Sequence, residues 1–327
     1  MDHDVLVAGE TLIDFLPERA GSLEDVAGFE RRPGGAPANV AVALANLEHT
    51  PLFWTRVGDD AFGRYLEGLL DERGLPDRFL ERDPDAKTTL AFVTHDETGD
   101  REFTFYREGT ADTRLEPGRI DDETLATVEW VHAGGVTLAS GSSREATLNL
   151  LERAAAADCT ISFDPNARPE LWPNAATFER VCRDALAHVD VCKATVEELE
   201  ALGFDGTTPL ELAREALAVG PHTVFVTRGS EGAVAVADER APWIDGEPAS
   251  SPTTAETNAD SVDVVDTTGA GDAFAAGAIA ALRDGASLEE SLSTASAVAA
   301  LTTTESGAMS ALPDRDAVRA FRDGRRA

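Results

Sequence analysis

Short apolar runs alternate with helical periodicity along most of the chain. Val5–Ala8 reads as a strand, Ala36–Leu47 as an Ala-rich helix, Leu52–Val57 as a strand and Ala61–Arg73 as a helix closed by Gly74. Val128–Ala133 predicts the next strand and Ser143–Ala157 the next helix. Thr160–Phe163, Val189–Cys192, Val224–Thr227 and Val262–Val265 continue the strand series. Three helical stretches, Ala270–Arg283, Leu288–Thr304 and Asp314–Arg322, follow them. Strands alternating with helices imply an α/β fold whose central sheet is mostly parallel and covered on both faces.

Two stretches, Thr11–Arg32 and Thr88–Arg107, lack helical periodicity. The second holds Thr89–Val93 and Glu102–Tyr106, separated by the turn-rich Asp96–Asp100, which is a hairpin pattern. Both stretches are expected to form a small β lid over the open end of the sheet. Gly246–Asp260 is polar and turn-rich and reads as a solvated loop. The expected organisation is a single domain over residues 1–327, with a lid inserted at about 11–32 and 88–110.

Composition narrows the class. An apolar fraction of 43% supports a full core. No apolar run reaches the ~18 residues of a membrane span. The acidic start, Met1–Asp4, passes straight into a strand and lacks the basic and apolar regions of a secretory signal, so a cytoplasmic location is expected. The 60 acidic residues outnumber the 28 basic ones, giving a net charge of −32. Lys87 and Lys193 are the only lysines; the other basic residues are arginine. The acids are spread along the chain, which argues against an acidic tail and for a protein that works in high salt, where the self-repulsion is screened. No basic stripe exists, which excludes nucleic acid as a partner. Cys159, Cys182 and Cys192 have no metal-site spacing and are expected to be small buried residues.

Two glycine-rich segments carry the chemistry. In Asp266-Thr267-Thr268-Gly269-Ala270-Gly271-Asp272 a strand-like run ends, a glycine turn follows and an Ala-rich helix begins. Glycines there let backbone N–H groups face an anion at a helix N-terminus. Asp272 beside such a hole makes sense as a base that takes a proton from an attacking hydroxyl. The same residues also fit a plain strand–helix turn with an Asp N-cap. A P-loop is excluded, because its GxxxxGK[ST] pattern is missing. In the second segment, Gly34-Gly35-Ala36-Pro37-Ala38-Asn39, paired glycines permit close approach of a ligand and Asn39 can bond a hydroxyl; an ordinary turn is the alternative.

Together, in this order and separation, the two segments resemble the signature motifs of the PfkB, or ribokinase-like, carbohydrate kinase family. Further features agree along nearly the whole chain. Asp14 in Gly9–Asp14 is similar to the family's early sugar-binding Asp. Val226–Gly232 resembles its nucleotide-binding loop, and Ser306–Ala308 the loop beside adenine and a monovalent cation. The resemblance implies a ribokinase-like three-layer sandwich and an enzyme that transfers the γ-phosphoryl group of ATP to a small sugar. It implies sugar contacts from Asp14, Gly34, Gly35, Asn39 and Arg107, with Asp272 as base. Phosphates would lie over Gly269, Ala270 and Gly271, and ATP along Lys193, Thr195, Thr227, Gly229, Gly232, Ser296 and Gly307. Mg²⁺ would be held through waters on Glu198, and K⁺ near Asp266 and Thr268. One departure stands out: Thr195-Val196-Glu197-Glu198 has Thr where the family's N-x-x-E motif has Asn.

Local features most resemble the fructokinase branch: Gly9–Asp14 followed by Phe15-Leu16-Pro17, Phe105-Tyr106-Arg107 leading to Ala111-Asp112, and Asp164–Arg168 leading to Leu171-Trp172. Arg107 would reach the site from the lid and Arg168 would lie near the transferred phosphate. Two permanently charged guanidinium groups suit a pocket without a P-loop lysine, although either arginine could instead pair with surface acids. The same arginines also fit 2-keto-3-deoxygluconate, whose carboxylate a guanidinium can bind in bidentate fashion. A ribokinase-type enzyme and a non-catalytic sugar-binding module are the remaining readings. By analogy with the family, the Phe103–Phe105 run suits a homodimer formed through the lid.

Overall fold

The computed structural model describes residues 3–19, 21–95, 101–244 and 251–325. The strands are β1 (Val5–Ala8), β2 (Leu12–Pro17), β3 (Phe29–Gly34), β4 (Leu52–Gly58), β5 (Leu80–Asp83), β6 (Leu90–His95), β7 (Arg101–Tyr106), β8 (Trp130–Gly134), β9 (Thr160–Asp164), β10 (Val191–Thr195), β11 (Thr223–Thr227), β12 (Ala233–Ala237) and β13 (Thr253–Thr257). The helices are α1 (Ala36–Asn46), α2 (Ala61–Glu72), α3 (Asp122–Leu125), α4 (Ser143–Ala156), α5 (Ala175–Leu186), α6 (Val196–Ala201), α7 (Pro209–Leu217), α8 (Ala270–Arg283), α9 (Leu288–Thr302) and α10 (Arg315–Arg325).

Among the described residues, nine strands form one sheet in the order β13-β12-β11-β10-β9-β8-β1-β4-β5. Pairing is parallel from β11 through to β5 and antiparallel at β11–β12 and β12–β13. Side chains alternate between the faces of a strand, and β1 displays this. Leu6 and Ala8 join a core with Leu150, Val181, Leu199 and Leu212 of α4 to α7. Val5 and Val7 join the opposite core, with Leu44, Phe274, Leu292 and Val318 of α1, α8, α9 and α10. The sheet is therefore a buried middle layer, as the alternation of strand and helix in the sequence implied.

A smaller sheet, β3-β2-β6-β7, forms the lid. β2 pairs antiparallel with β3 and parallel with β6, and β6 pairs antiparallel with β7. The expected hairpin is this last pair; its Asp96–Asp100 turn lies outside the described residues. Among the contacts that seat the lid on the main body are the following two. Phe103 of β7 lies under the Arg168 guanidinium, 5.4 Å from its ring centroid. Arg32 of β3 reaches Gly307, with Nη1 3.1 Å from where a Cβ on that glycine would sit.

Two expectations are corrected. Val262–Val265 is not a strand: the sheet edge is occupied by Thr253–Thr257, inside the stretch expected to be a solvated loop. Thr253–Thr257 is β-branched and half-exposed, which suits an edge strand. The Val262–Val265 run instead docks on the end of α9, where Val265 N–H donates to the Thr303 carbonyl at 2.8 Å. The expectation of three small buried cysteines holds: Cys159, Cys182 and Cys192 are free and buried.

Phe225 of β11 tests the α8 side of the core. It is fully buried, and its ring meets Phe274 edge to face at 6.0 Å. Phe225→Ala is expected to cost about 3–5 kcal/mol in guanidinium unfolding; a cost below about 1 kcal/mol would mean that this face packs otherwise.

Candidate active site

The chain runs from β1 to β4 and β5 on one side, then from β8 through β11 on the other. The strand order thus reverses between β1 and β8, and crevices at the carboxyl ends of parallel strands at such a point are where α/β sheets bind ligands. A cavity of about 960 Å³ lies here. Glu10 reaches it from the end of β1, Val136 from beyond β8, Asn166 and Arg168 from beyond β9 and Thr195 from the end of β10. Phe103 and Phe105 of the lid line the facing wall. A second cavity, of about 590 Å³, adjoins it and shares Lys193, Thr195, Thr267 and Gly271. Its walls are mostly apolar and include Ala233, Val262, Val264, Phe274 and Ala299. The valine run that is not a strand is part of this wall.

The floor shared by the two cavities is the start of α8. Gly269 is its N-cap with φ 77°, a left-handed conformation that glycine adopts without penalty. A Cβ there would also stand 2.8 Å from the Ala308 side chain. Ala270 N–H turns back to the Thr267 carbonyl at 3.3 Å and Gly271 follows it in the first turn, so the N-terminus of α8 lies at the junction of the cavities. Lys193 Nζ sits 3.1 Å from where a Cβ on Gly271 would be. The anion-accepting turn therefore has a lysine after all, delivered by β10 rather than by a P-loop.

Asp272, also in that first turn, is buried and accepts a hydrogen bond from Asn39 Nδ2 at 2.7 Å. Burial, with the charge of Asp164 assisting, raises its pKa to about 6; Asn39, Lys193 and Arg168 act the other way. Lys193 donates to Asp164 at 2.8 Å. Burial lowers its pKa, but the surrounding carboxylates Asp164, Glu198 and Asp272 outweigh that and raise it, so the ammonium stays charged. Glu10, in the same cavity, is raised to about 8, chiefly by burial. Both carboxyls thus titrate higher in the fold than in an open chain. Their contribution to stability is greatest at low pH and is lost as pH rises through about 6 for Asp272 and about 8 for Glu10.

Thr195 and Glu198 form a reciprocal cap at the start of α6. The Thr195 hydroxyl accepts from the Glu198 N–H, and Glu198 Oε2 accepts from the Thr195 N–H at 2.8 Å. This gives Thr195 a structural reason where the family has Asn: it is a good N-cap. Glu198 Oε1 also accepts from the Ala167 N–H at 2.8 Å, which ties the β9 and β10 loops together in the cavity wall. Burial and the nearby Asp164 raise its pKa.

The remaining expected residues divide clearly. Asp14, Gly35, Asn39, Arg168, Thr268, Gly269, Gly271 and Asp272 line the larger cavity. Thr227, Gly229, Gly232, Ala270 and Ser296 line the second. Gly34 lies behind Asp14, whose Oδ2 fills the space a side chain would need. Arg107 and Gly307 line neither cavity. Arg107 is buried with its Nε on Asp112 at 2.6 Å, so it is not a surface ion pair. Gly307 donates its N–H to Asp266 Oδ2 at 2.9 Å, and Asp266 Oδ1 accepts from the Thr268 N–H and hydroxyl. Asp266 thereby ties the anion-hole turn to the loop after α9. Among the described residues no group of three or more His, Cys, Asp or Glu is arranged to hold a metal. Mg²⁺ needs no such cage, since it keeps several waters and takes one or two carboxylates plus phosphate; Glu198 and Asp164 are oxygen donors of that kind.

Two residues escaped the sequence reading. Asp164 anchors Lys193 and accepts from the Asn166 N–H, and Asn166 has φ 43°, an uncommon conformation outside glycine. Glu10 is almost wholly buried. The available signal was an acidic residue two positions after the apolar β1 run.

A nucleotide-sized apolar cavity joined to a polar one across a glycine anion hole, on this sheet topology, defines a small-molecule phosphotransferase of the ribokinase-like class. Comparison with known proteins agrees. The chain matches the pfkB family carbohydrate kinase model over residues 2–315 and belongs to that family. It is 36% identical to a fructokinase of Vibrio alginolyticus, over 95% of this chain and 96% of that one. The structure of a fructokinase with bound ATP from Xylella fastidiosa superposes with a TM-score of 0.83 at 30% identity, covering 100% of each chain. A fructokinase double mutant from Vibrio cholerae O395 in a fructose-, ADP- and potassium-bound form gives 0.79 at 30% identity, covering 97% of each chain.

Gly269→Ala forces a left-handed alanine against Ala308. It is expected to destabilise the fold by about 1–2 kcal/mol or more, read from the midpoint of denaturant unfolding. An unchanged midpoint would contradict the N-cap geometry.

Proposed function

We propose that this enzyme phosphorylates fructose with ATP. The observation that carries the reading is Asp272, buried at the junction of the two cavities, hydrogen-bonded to Asn39 and next to a glycine anion hole backed by Lys193. Fructose as acceptor is supported by the fructokinases among the relatives, and ATP as donor by the ATP-bound neighbour. The whole chain acts as one kinase domain, with the lid from about 11–32 and 88–110.

The sugar occupies the larger cavity, touched by Asp14, Gly35 and Asn39. The nucleotide lies in the apolar one, along Thr227, Gly229, Gly232 and Ser296, with its phosphates over Gly269–Gly271. Asp272 takes the proton of the attacking hydroxyl as the γ-phosphoryl group transfers in line. Lys193, Arg168 and the N–H groups of α8 offset the charge on the equatorial oxygens. The lid, held by Phe103 on Arg168, excludes water and limits loss of ATP to hydrolysis. Bound near Glu198, Mg²⁺ would neutralise phosphate charge. K⁺ near Asp266 and Thr268 is supported by the potassium in the Vibrio cholerae enzyme, and the K⁺-rich cytoplasm of a salt-adapted cell would keep that site filled. Phe103 and Phe105, the run expected to pair two copies, line the larger cavity instead; the exposed aromatic of that strand is Tyr106, 59% exposed, and it supports pairing of two copies through their lids.

The testing experiment is ATP-dependent phosphorylation in molar KCl, with fructose and 2-keto-3-deoxygluconate compared by kcat/KM. Preference for fructose is expected; preference for the keto acid would transfer Arg168 to carboxylate recognition, and activity on neither would overturn the reading. Asp272→Asn should lower kcat by about 10²–10⁴-fold with sugar binding retained. In the wild type the base must be ionised, so kcat/KM should fall as pH drops through about 6. A flat profile from pH 5 to 8 would remove Asp272 from the proton transfer.

A net charge of −32 also predicts salt dependence. The thermal midpoint should rise from about 0.1 M to about 2 M KCl, as the Debye length falls from roughly 10 Å to below 3 Å. A midpoint that is constant or falls would contradict the salt-adapted reading.

A further inference from the structure

Glu10 holds a carboxylate that the mechanism above does not use. It is 1% exposed, follows β1 at the strand reversal and lines the larger cavity with Asp14, Asn39 and Asp272. Its Oε2 is buried and has no hydrogen-bond partner among the described residues. Arg107 interacts with it electrostatically, and Arg107 Nη2 is likewise buried without a partner. Leaving the buried Glu10 oxygen unsatisfied is costly, so the working state needs something polar to reach it from the cavity. A polyol does this, since each hydroxyl both donates and accepts.

We propose that Glu10 contacts the sugar directly: its free Oε2 takes a hydroxyl of the bound ketose and, with Asp14 and Asp272, makes this part of the cavity select a neutral polyol over a sugar acid. The assignment rests on the sugar kinase reading above and narrows its substrate class. A substrate carboxylate brought here would meet like charges in a low-dielectric pocket. The Arg107 charge is already offset by Asp112, which accepts from its Nε at 2.6 Å, so it compensates a substrate carboxylate less than a free guanidinium would. The groups whose charge acts on Glu10 are Arg107, which favours its ionised form, and Asp112 and Asp272, which oppose it.

The test is steady-state kinetics in molar KCl at about pH 8.5. It reads the KM for fructose, the KM for ATP and the competitive Ki of 2-keto-3-deoxygluconate, for the wild type, Glu10→Gln and Glu10→Asp. Glu10→Gln should raise the fructose KM by about tenfold or more and leave the ATP KM within about twofold. It should also tighten the keto acid relative to fructose by about tenfold. A merely structural Glu10 would lower the thermal midpoint and leave the ratio of Ki to fructose KM unchanged, which overturns the proposal. The wild type gives a second readout that does not depend on how the variants fold. Between about pH 6.5 and 9, as Glu10 loses its proton, the ratio of Ki to fructose KM should rise. A flat ratio overturns the proposal as well. If the wild type phosphorylates fructose and the variants match it, only the Glu10 claim fails; if it does not phosphorylate fructose, the sugar kinase reading fails and the Glu10 claim with it.

Discussion

One buried cation organises this active site. Lys193 rises from β10 into a region holding Asp164, Glu198 and Asp272, donates to Asp164 and lies against Gly271. Taking these charges out of water is unfavourable, and only close pairing and backbone hydrogen bonds make it tolerable. Each carboxylate has such partners: Asp164 has Lys193 and the Asn166 N–H, Glu198 has two backbone N–H groups, and Asp272 has Asn39. The same burial that makes the arrangement costly raises the pKa of Asp272 to about 6, which is near the range a general base needs.

The topology makes this concentration of charge possible. Parallel strands end together, so the loops after β1, β8, β9 and β10 deliver side chains to one place. α8 starts at the same level, and its positive end compensates for carboxylates from below and phosphates from above. A chain with a net charge of −32 can therefore receive a polyanionic nucleotide. Salt weakens the repulsion from exposed surface charge, whereas Lys193, Arg168 and the N-terminus of α8 act at contact distance.

Much of this was legible in the sequence because the relevant signals are local. The glycine turn at Gly269–Gly271, the Gly34-Gly35 pair and the period-2 lid strands are each set by their own residues. What was not legible depended on distant parts of the chain. Val262–Val265 has strand propensity, but Thr253–Thr257 takes the edge, and the valines form a cavity wall instead. Arg107 was expected to reach the sugar; in the fold it pairs with Asp112 and lines neither cavity. Gly307 was assigned to the nucleotide, and its N–H also donates to Asp266 from far along the chain. Thr195 stood out as a departure from the family motif and proves to be a helix cap. Asp164 and Glu10 had no role assigned from the sequence, because their partners Lys193 and Arg107 come from distant parts of the chain.

The most direct test is a crystal structure with fructose and a non-hydrolysable ATP analogue, grown in molar KCl. The account predicts a sugar hydroxyl on Asp272, the base in the apolar cavity between Val264 and Ala299, and the γ-phosphate over Gly269–Gly271 within reach of Lys193. A γ-phosphate seated away from that turn, or a sugar out of reach of Asp272, would contradict it.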